Sequence, residues 1–384
     1  MEVYLDNSAT TRVRSEAIEE MVRVMDINYG NPSSIHLKGY EAEKILNEAR
    51  HNVAELINCE DSEIVFTSGG TESNNLALRG IAEIMKKRGN HIISSKIEHP
   101  SVLNVLKQLE EEGFVVTYLD VDEAGKIDLK ELKEAISSKT ILISIMSVNN
   151  EIGTIEPVES IAVLTAQYEL AVFHVDGVQA AGKIEINVKN DNIHLLSLSG
   201  HKIHGPKGIG ALYIKKKVRI KPIILGGGQE RNLRSGTENL PGIAGFGIAC
   251  KLSKEEFKGN AERLRILKKR LYDGISAEIR DIHLNGPEIN DGAPQILNVS
   301  FPGVKSEVLL HALEEKGIYV SPGSACSNRK NGVSHVLKSI GLKRELAESA
   351  IRFSFGYFNT EEEIDYTVSV LKEKVSFLRK YMRR

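Results

Sequence analysis

The chain of 384 residues is 41% hydrophobic and 27% charged, as is typical of a soluble globular protein. Its formal net charge of −2 argues against a dedicated nucleic-acid surface or a polybasic membrane anchor. Three cysteines are too few for a disulfide framework or a four-cysteine zinc site, and we see neither a signal peptide nor an apolar run that could cross a bilayer. We therefore expect a cytoplasmic protein.

Strands and helices alternate along the first two thirds of the sequence. The patterns predict strands at 3–5, 63–67, 91–95, 114–118 and 140–146, then two more that end near Asp176 and before Lys202. The intervening helices include 16–25, 39–57, a helix ending near 87, 128–137 and 157–168. This alternation predicts an α/β domain with a mostly parallel central sheet. A long amphipathic helix from Phe257 is expected to lead into a C-terminal third with strands near 295–301, 317–320 and 351–355.

A glycine turn, Ser68-Gly69-Gly70-Thr71, joins a predicted strand to a predicted helix. Free N–H groups and the helix dipole at such a junction can hold a phosphate, although many glycine turns are only tight connections. His99 ends the next strand, where its imidazole could stack on a flat cofactor or be merely structural. Asn150 lies in a polar patch after another strand. All these residues are expected at the carboxyl edge of the sheet, where ligands bind.

Asp176 and Lys202 end two successive apolar runs of the same sheet. Each residue alone is more simply explained as solvated. Together they form the pair that pyridoxal phosphate (PLP) requires, a Schiff-base lysine and an aspartate for the pyridinium nitrogen. Gln179 could bind the phenolic oxygen of PLP or cap the next helix. A metal site at His201 and His204 is disfavoured because the cationic Lys202 stands between them.

Two residues of the C-terminal third are candidates for chemistry. Cys326 lies in a long loop of small, polar and basic residues, which favours an accessible thiolate, whereas Cys59 and Cys250 have the surroundings of inert core residues. Arg352 is embedded in an aromatic strand, where a charge is costly unless it binds a carboxylate. An internal salt bridge is the alternative for Arg352.

In this order, the motifs resemble cysteine desulfurases of the NifS/IscS type, class-V members of the PLP enzymes of fold type I. The resemblance covers nearly the whole chain and depends on the strings YLDNSATT, FTSGGTESNN, EHPS, VNNEIG, HVDGVQ, SLSGHKIHGPKGIGAL, RSGTEN, SPGSACS and IRFSFG. Two positions depart from the family pattern, since Pro322 replaces a common serine and Tyr357 a common arginine. The resemblance implies a large PLP-binding domain over 12–250, a smaller α+β domain formed by 1–11 and 251–384, and a homodimer.

The resemblance also implies a role for each candidate residue. Lys202 forms the Schiff base, His99 stacks on the ring and transfers protons, and Cys326 takes sulfur from the substrate as a persulfide. Asn150 and Arg352 hold the substrate carboxylate, and Thr237 reaches the phosphate from the partner subunit. The implied cofactor-binding set is Gly70, Thr71, His99, Asn150, Asp176, Gln179, Ser199, Gly200, His201, Lys202 and Thr237. By the same resemblance, the phosphate is bound by Gly70, Thr71, Ser199 and His201.

The implied reaction converts L-cysteine to L-alanine and passes sulfur to an acceptor such as an iron–sulfur scaffold protein. No resident metal is implied, although the Cys326 persulfide could ligate a transferred iron–sulfur cluster. The alternatives are a selenocysteine lyase, an aminotransferase or other class-V PLP enzyme, and a non-catalytic sulfur-relay component. A transaminase needs no mobile thiol, and a binding module need not keep Lys202, Asp176 and His99 together.

Overall fold

A computed structural model describes residues 1–323 and 334–382 of the protein. The strands in these ranges are β1 (Val3–Tyr4), β2 (Ile64–Thr67), β3 (His91–Ser95), β4 (Val115–Leu119), β5 (Thr140–Met146), β6 (Val172–Asp176), β7 (Leu195–Ser199), β8 (Gly210–Ile214), β9 (His283–Leu284), β10 (Ile296–Ser300), β11 (Ile318–Tyr319), β12 (Ser321–Pro322) and β13 (Ala350–Ser354). The α-helices are α1 (Ser15–Asp26), α2 (Leu37–Ile57), α3 (Gly70–Met85), α4 (Pro100–Glu111), α5 (Leu129–Ala135), α6 (Val158–Thr165), α7 (Leu240–Glu255), α8 (Phe257–Glu278), α9 (Ser306–Glu314), α10 (His335–Ser339), α11 (Arg344–Glu348) and α12 (Glu361–Met382).

The predicted α/β sheet is confirmed. It has seven strands in the order β2-β8-β7-β6-β5-β3-β4. The pairs from β7 to β4 are all parallel, whereas β8 runs antiparallel to both of its neighbours. The strand order changes direction at β3: β4 lies on one side of β3, whereas β5, β6 and β7 follow one another on its other side. The connecting helices therefore lie on both faces of the sheet, with α4 in one core and α5 and α6 in the other. Ligands bind beyond the carboxyl ends of strands in sheets of this kind.

Both faces of the large sheet are buried, which explains the continuous apolar runs of its strands. Along β5, Leu142 packs into a core shared with α3 and α4, and Ile143 packs into a core on the opposite face shared with α2 and α7. Alternate side chains of a strand point to opposite faces, so one apolar run supplies both cores.

The C-terminal third builds a separate sheet and core. Strands β12, β13, β10 and β9 form an antiparallel sheet, and β1 pairs in parallel with β11. Val3 and Leu5 pack in the same core as α8 and α12. This separate core supports the two-domain division, which we retain as a proposal. Helix α7 itself runs past residue 250 to Glu255.

Local sequence signals explain where α12 begins. Glu363 Oε2 accepts a hydrogen bond from Thr360 N (3.1 Å) and Glu363 N donates to Thr360 Oγ1 (3.3 Å), so these two residues form a capping box. Within 1–323 and 334–382, the helices are all too short or too polar to cross a membrane.

Candidate active site

A cavity of about 340 Å³ opens beyond the carboxyl ends of β5, β6 and β7. Ten of the predicted site residues line it: Gly70, Thr71, His99, Asn150, Asp176, Gln179, Ser199, His201, Lys202 and Arg352. A larger open groove between α8 and α12 contains none of them and is lined by surface ion pairs such as Arg270–Asp365. These ten residues therefore converge on one place, although Arg352 comes from the four-stranded sheet and the others end or follow strands of the large sheet.

Lys202 lies in the short 3-10 turn Gly200–Lys202 that follows β7. Its Nζ donates hydrogen bonds to the carbonyl oxygens of Ser8 and Ala9 (2.8 Å to Ala9), so the N-terminal segment receives the amine. Lys183 Nζ donates to the carbonyl oxygen of Lys202 at 2.8 Å. Burial, and secondarily the charge of Lys202, lowers the pKa of Lys183 to about 7. Lys183 thus fixes the backbone of the turn and carries only part of a positive charge near neutral pH.

Asp176 is the last residue of β6 and is only 6% exposed. Its Oδ2 accepts a hydrogen bond from Asn74 Nδ2 (2.8 Å), and its Oδ1 accepts one from Val178 N (3.1 Å). These two donors hold the buried carboxylate in one orientation, as an aspartate that must face a pyridinium nitrogen requires.

His99 is the N-cap residue of α4. Its Nδ1 accepts a hydrogen bond from Ser101 N (3.1 Å) and lies 2.8 Å from Ser101 Oγ. Burial is the main cause that lowers the pKa of His99; the charges of Lys202 and His335 act in the same direction, and Asp176 opposes them. These surroundings favour the neutral imidazole.

The amino end of α3 forms the anion-binding corner of the cavity. Gly69, at φ 149°, precedes the helix without a side-chain cap, which leaves the first N–H groups of the helix open. The hydroxyl of Ser199 is buried beside this turn, since a Cβ added to Gly69 would lie 3.7 Å from Ser199 Oγ. His201 also lines this cavity, and burial, followed by nearby lysine charges, lowers its pKa to about 4.

Several buried polar atoms of the lining residues have no hydrogen-bond partner among the described residues. They are Ser8 Oγ, Asn74 Oδ1, Gln179 Oε1, Ser199 Oγ and Arg352 Nε. Unpaired buried polar groups are costly, so such a cluster around one cavity indicates that a polar ligand satisfies it. Ser8 Oγ, Ser199 Oγ and Arg352 Nε can donate to the oxygens of a phosphate or a carboxylate, whereas the two amide oxygens can only accept from a ligand. The residues present therefore fit PLP and an amino-acid substrate.

Arg352, in the centre of β13, is 2% exposed. Its Nη2 forms an ion pair with Asp6 Oδ1 at 2.7 Å, and its Nη1 donates to the carbonyl oxygen of Asn150 at 2.9 Å. The internal salt bridge considered from sequence is thus present. Arg352 nevertheless lines the cavity and keeps its Nε unpaired among the described residues, so the ion pair orients the guanidinium and leaves it a donor.

Two predicted residues in the described part of the chain do not line the cavity. Gly200 does not line it, and a Cβ there would meet Ile209 and Pro206 at 3.0 Å, on the core side of the turn. Thr237 is exposed and lies outside the cavity lining. Cys326 lies outside the described residues.

The remaining candidates have structural surroundings. Cys59 and Cys250 are buried, and burial raises the pKa of both thiols, as expected for unreactive core cysteines. His204 donates from Nδ1 to the carbonyl oxygen of Arg12 (2.8 Å) and accepts at Nε2 from Tyr357 N (3.1 Å). Both ring nitrogens of His204 are thus occupied within the fold.

Sequence reasoning assigned no role to Asp6, Ser8, Asn74 or Ser101. Each of them contacts a predicted site residue: Asp6 pairs with Arg352, the Ser8 carbonyl accepts from Lys202, and Asn74 and Ser101 connect Asp176 to His99. All four lie inside the strings YLDNSATT, FTSGGTESNN and EHPS. The strings marked the segments but could not reveal which side chains meet.

A lysine and an aspartate at the ends of adjacent parallel strands, with an anion corner at a helix amino end, define a PLP enzyme of fold type I. The family model described as "Aminotransferase class-V" matches residues 3–367. The chain belongs to this family.

Individual relatives agree with the family assignment. "Cysteine desulfurase IscS" of Clostridium botulinum strain Hall is 48% identical over 371 residues, which cover 96% of this chain and 93% of the relative. A solved structure named "NIFS-LIKE PROTEIN" superposes with a TM-score of 0.93 at 42% identity, covering 98% of this chain and all of the other. The structure "SspA in complex with cysteine" gives a TM-score of 0.82 at 36% identity over 93% of this chain and all of SspA.

Proposed function

We propose that this protein is a PLP-dependent cysteine desulfurase, which converts L-cysteine to L-alanine and transfers the sulfur to Cys326 as a persulfide. One observation carries the proposal: Lys202, Asp176, His99 and Arg352 line one cavity, in which five buried polar atoms, among them Ser199 Oγ and Arg352 Nε, lack partners among the described residues. Full-length similarity to proteins named cysteine desulfurase supports the same reaction.

Different lining residues bind different parts of the cofactor. The first N–H groups of α3 at Gly70 and Thr71, with the Ser199 hydroxyl, hold the phosphate. Asp176 faces the pyridine nitrogen, and Gln179 faces the phenolic oxygen. When bound, PLP supplies an electron sink for negative charge that develops on the substrate.

Lys202 binds the cofactor, and His99 transfers protons. The amine of Lys202 is the group that binds the cofactor covalently. Without the cofactor, this amine donates hydrogen bonds to the carbonyl oxygens of Ser8 and Ala9. His99 transfers protons through Nε2, because its Nδ1 is held by Ser101. A neutral imidazole at this position can pass a proton without bringing a second cation beside Lys202.

Arg352 and Asn150 position the substrate carboxylate. The unpaired Nε of Arg352 offers a charge-assisted hydrogen bond, and the ion pair with Asp6 keeps the guanidinium in one orientation. Asn150 lines the same part of the cavity and adds an amide donor.

Cys326 makes the reaction a desulfuration. The Cβ–S bond of L-cysteine breaks, and the substrate sulfur bonds to the Cys326 thiolate. The electron pair of the broken bond stays with carbon, which takes a proton and leaves as the methyl group of alanine. The two bonded sulfurs balance the reduction of carbon, so no external oxidant is needed. The persulfide is then available to an acceptor such as an iron–sulfur scaffold protein.

We extend the proposal to a homodimer in the cytoplasm. Helices α1 and α2 expose apolar side chains, among them Ile18, Val22, Met25 and Leu37, which a second copy would cover. Thr237 is exposed, and we expect it to reach the anion-binding corner of the partner subunit. Each active site is then completed by the other subunit. A reducing compartment keeps the thiol of Cys326 free. Sedimentation equilibrium tests the dimer, and a monomer at micromolar concentration would contradict it.

Turnover of purified protein tests the function. The protein is expected to be yellow and to release equal amounts of alanine and sulfide from L-cysteine in the presence of a thiol reductant. Cys326→Ser should keep the colour and stop turnover. Alanine release at full rate by that variant would remove Cys326 from the mechanism, and a colourless protein that PLP cannot reconstitute would reject the enzyme.

The same assay separates the alternatives. Formation of a keto acid would identify a transaminase, and activity confined to L-selenocysteine would identify a selenocysteine lyase. A yellow protein that turns over neither substrate would favour a relay component.

A further inference from the structure

A continuous hydrogen-bond chain joins Asp176 to His99 through the side chains of Asn74 and Ser101. Asn74 Nδ2 lies 2.8 Å from Asp176 Oδ2 and 2.9 Å from Ser101 Oγ. Ser101 Oγ lies 2.8 Å from His99 Nδ1, which also accepts a hydrogen bond from Ser101 N at 3.1 Å. The chain crosses from β6 through α3 to the start of α4.

Each hydrogen in the chain has only one possible direction. The Asp176 carboxylate can only accept, so the amide nitrogen of Asn74 faces it; the reversed amide would set oxygen against oxygen. The second hydrogen of Asn74 Nδ2 goes to Ser101 Oγ, and the hydroxyl hydrogen therefore goes to His99 Nδ1. The backbone N–H of Ser101 can only donate. His99 Nδ1 thus receives two donors and has no room for its own proton.

The surroundings favour the same state of the ring. Ser101 N belongs to the first turn of α4, whose positive end disfavours an imidazolium. The charged or titratable groups that act on His99 are Asp176 on β6, Lys202 after β7 and His335 on α10, and only the first of these favours a cation. Asn74 is 1% exposed, and its Oδ1 stays unpaired among the described residues. An unpaired buried oxygen costs free energy, and this cost follows from the amide orientation that the two hydrogen bonds of Nδ2 require.

We propose that Asn74 and Ser101 are positioning residues that hold His99 as the neutral tautomer with its proton on Nε2 and couple that state to the Asp176 carboxylate. The inference deepens the proposed function, because it explains how His99 can present one defined proton to the reacting carbons. The tautomer itself is a property of the folded chain and can be measured without turnover.

Ser101→Ala removes the hydroxyl donor and leaves Nδ1 with the backbone N–H alone. The pKa of His99 should rise by roughly half to one unit, the equivalent of one net hydrogen bond. Ser101→Thr keeps a hydroxyl at the same Cβ and should behave as the wild type. Asn74→Ala frees the Ser101 hydroxyl to rotate and accept from Nδ1, so it should also raise the pKa of His99.

Ring ¹³C and ¹⁵N spectra of the full-length protein labelled in histidine test the proposal, with His99→Gln to assign the resonances. The wild type should show His99 as the Nε2–H tautomer, with and without PLP, and Ser101→Ala should shift its titration upward. A wild-type Nδ1–H tautomer, or unchanged titration in both Ser101→Ala and Asn74→Ala, would overturn the proposal. Circular dichroism checks that each variant is folded, and Asn74→Ala carries the test if Ser101→Ala is not.

The pH dependence of turnover provides the second readout. The acidic limb of kcat/KM should move to higher pH by the same amount in Ser101→Ala and return in Ser101→Thr. A wild-type protein that makes no alanine would reject the proposed function but leave the tautomer result standing. An active wild type with an unmoved acidic limb in Ser101→Ala would reject the positioning role alone.

Discussion

Glu151→Gln should change how the stability of the protein depends on pH. Glu151 is buried and follows Asn150, which lines the cavity. Its Oε2 accepts a hydrogen bond from the Ser334 hydroxyl, and its backbone carbonyl accepts one from Asn298 Nδ2 at 3.0 Å. Burial raises its pKa to about 7, while the Ser334 hydrogen bond and the charge of Arg352 lower it only in part. A glutamate in the unfolded chain has an ordinary pKa near 4.5.

The sign follows from proton linkage. The folded state binds the Glu151 proton more tightly than the unfolded state, so this group favours folding below pH 4.5 and loses that contribution as the pH rises to about 7. The difference between the two pKa values corresponds to roughly 3 kcal/mol. Because glutamine never ionises, the free energy of unfolding of Glu151→Gln relative to wild type should increase by roughly 2 to 3 kcal/mol between pH 5 and pH 8.

Urea unfolding followed by far-ultraviolet circular dichroism measures this difference, since the chain has no tryptophan and guanidinium would screen charges. Glu123→Gln, which removes an exposed carboxylate, is the matched control and should give a difference that does not vary with pH. A Glu151→Gln difference that is equally independent of pH would refute a buried, protonated Glu151.

Three predictions concern the cavity. Ser199→Ala removes the hydroxyl of the anion corner and should weaken PLP retention by roughly tenfold to a hundredfold, measured by dialysis and reconstitution; unchanged retention would contradict its role. Arg352→Lys keeps the positive charge but loses the planar guanidinium with its several donors. The KM for L-cysteine should rise at least about tenfold, with a smaller change in kcat; an unchanged KM would show that the substrate carboxylate binds elsewhere. Asp176→Asn should keep the chain folded but lower kcat by roughly a hundredfold or more, because the pyridine nitrogen loses its charged partner; near-normal turnover would remove Asp176 from the site.

Much of the fold was predictable from local pattern. The strand predicted at 140–146 is β5, and the one predicted at 63–67 is β2. Strands buried on both faces give continuous apolar runs, and glycine or polar turns end them, so their positions can be read one segment at a time. The edge of the sheet at which Asp176 and Lys202 meet follows from parallel strand order.

The contacts among site side chains could not be read in this way. Asn74 meets Asp176 across 102 positions of the chain, and Arg352 meets Asp6 across 346. Only the three-dimensional arrangement of helices around the sheet creates these pairs. For Arg352 the two sequence hypotheses, a carboxylate site and an internal ion pair, proved compatible, because one guanidinium both pairs with Asp6 and lines the cavity.

A single turnover with ³⁵S-labelled L-cysteine, in the absence of a thiol reductant, shows where the substrate sulfur goes. We expect about one equivalent of alanine per active site and one equivalent of ³⁵S on the peptide that contains Cys326, released by dithiothreitol as sulfide. Alanine formed without label on that peptide, or label carried by Cys59 or Cys250, would contradict the transfer of sulfur to Cys326.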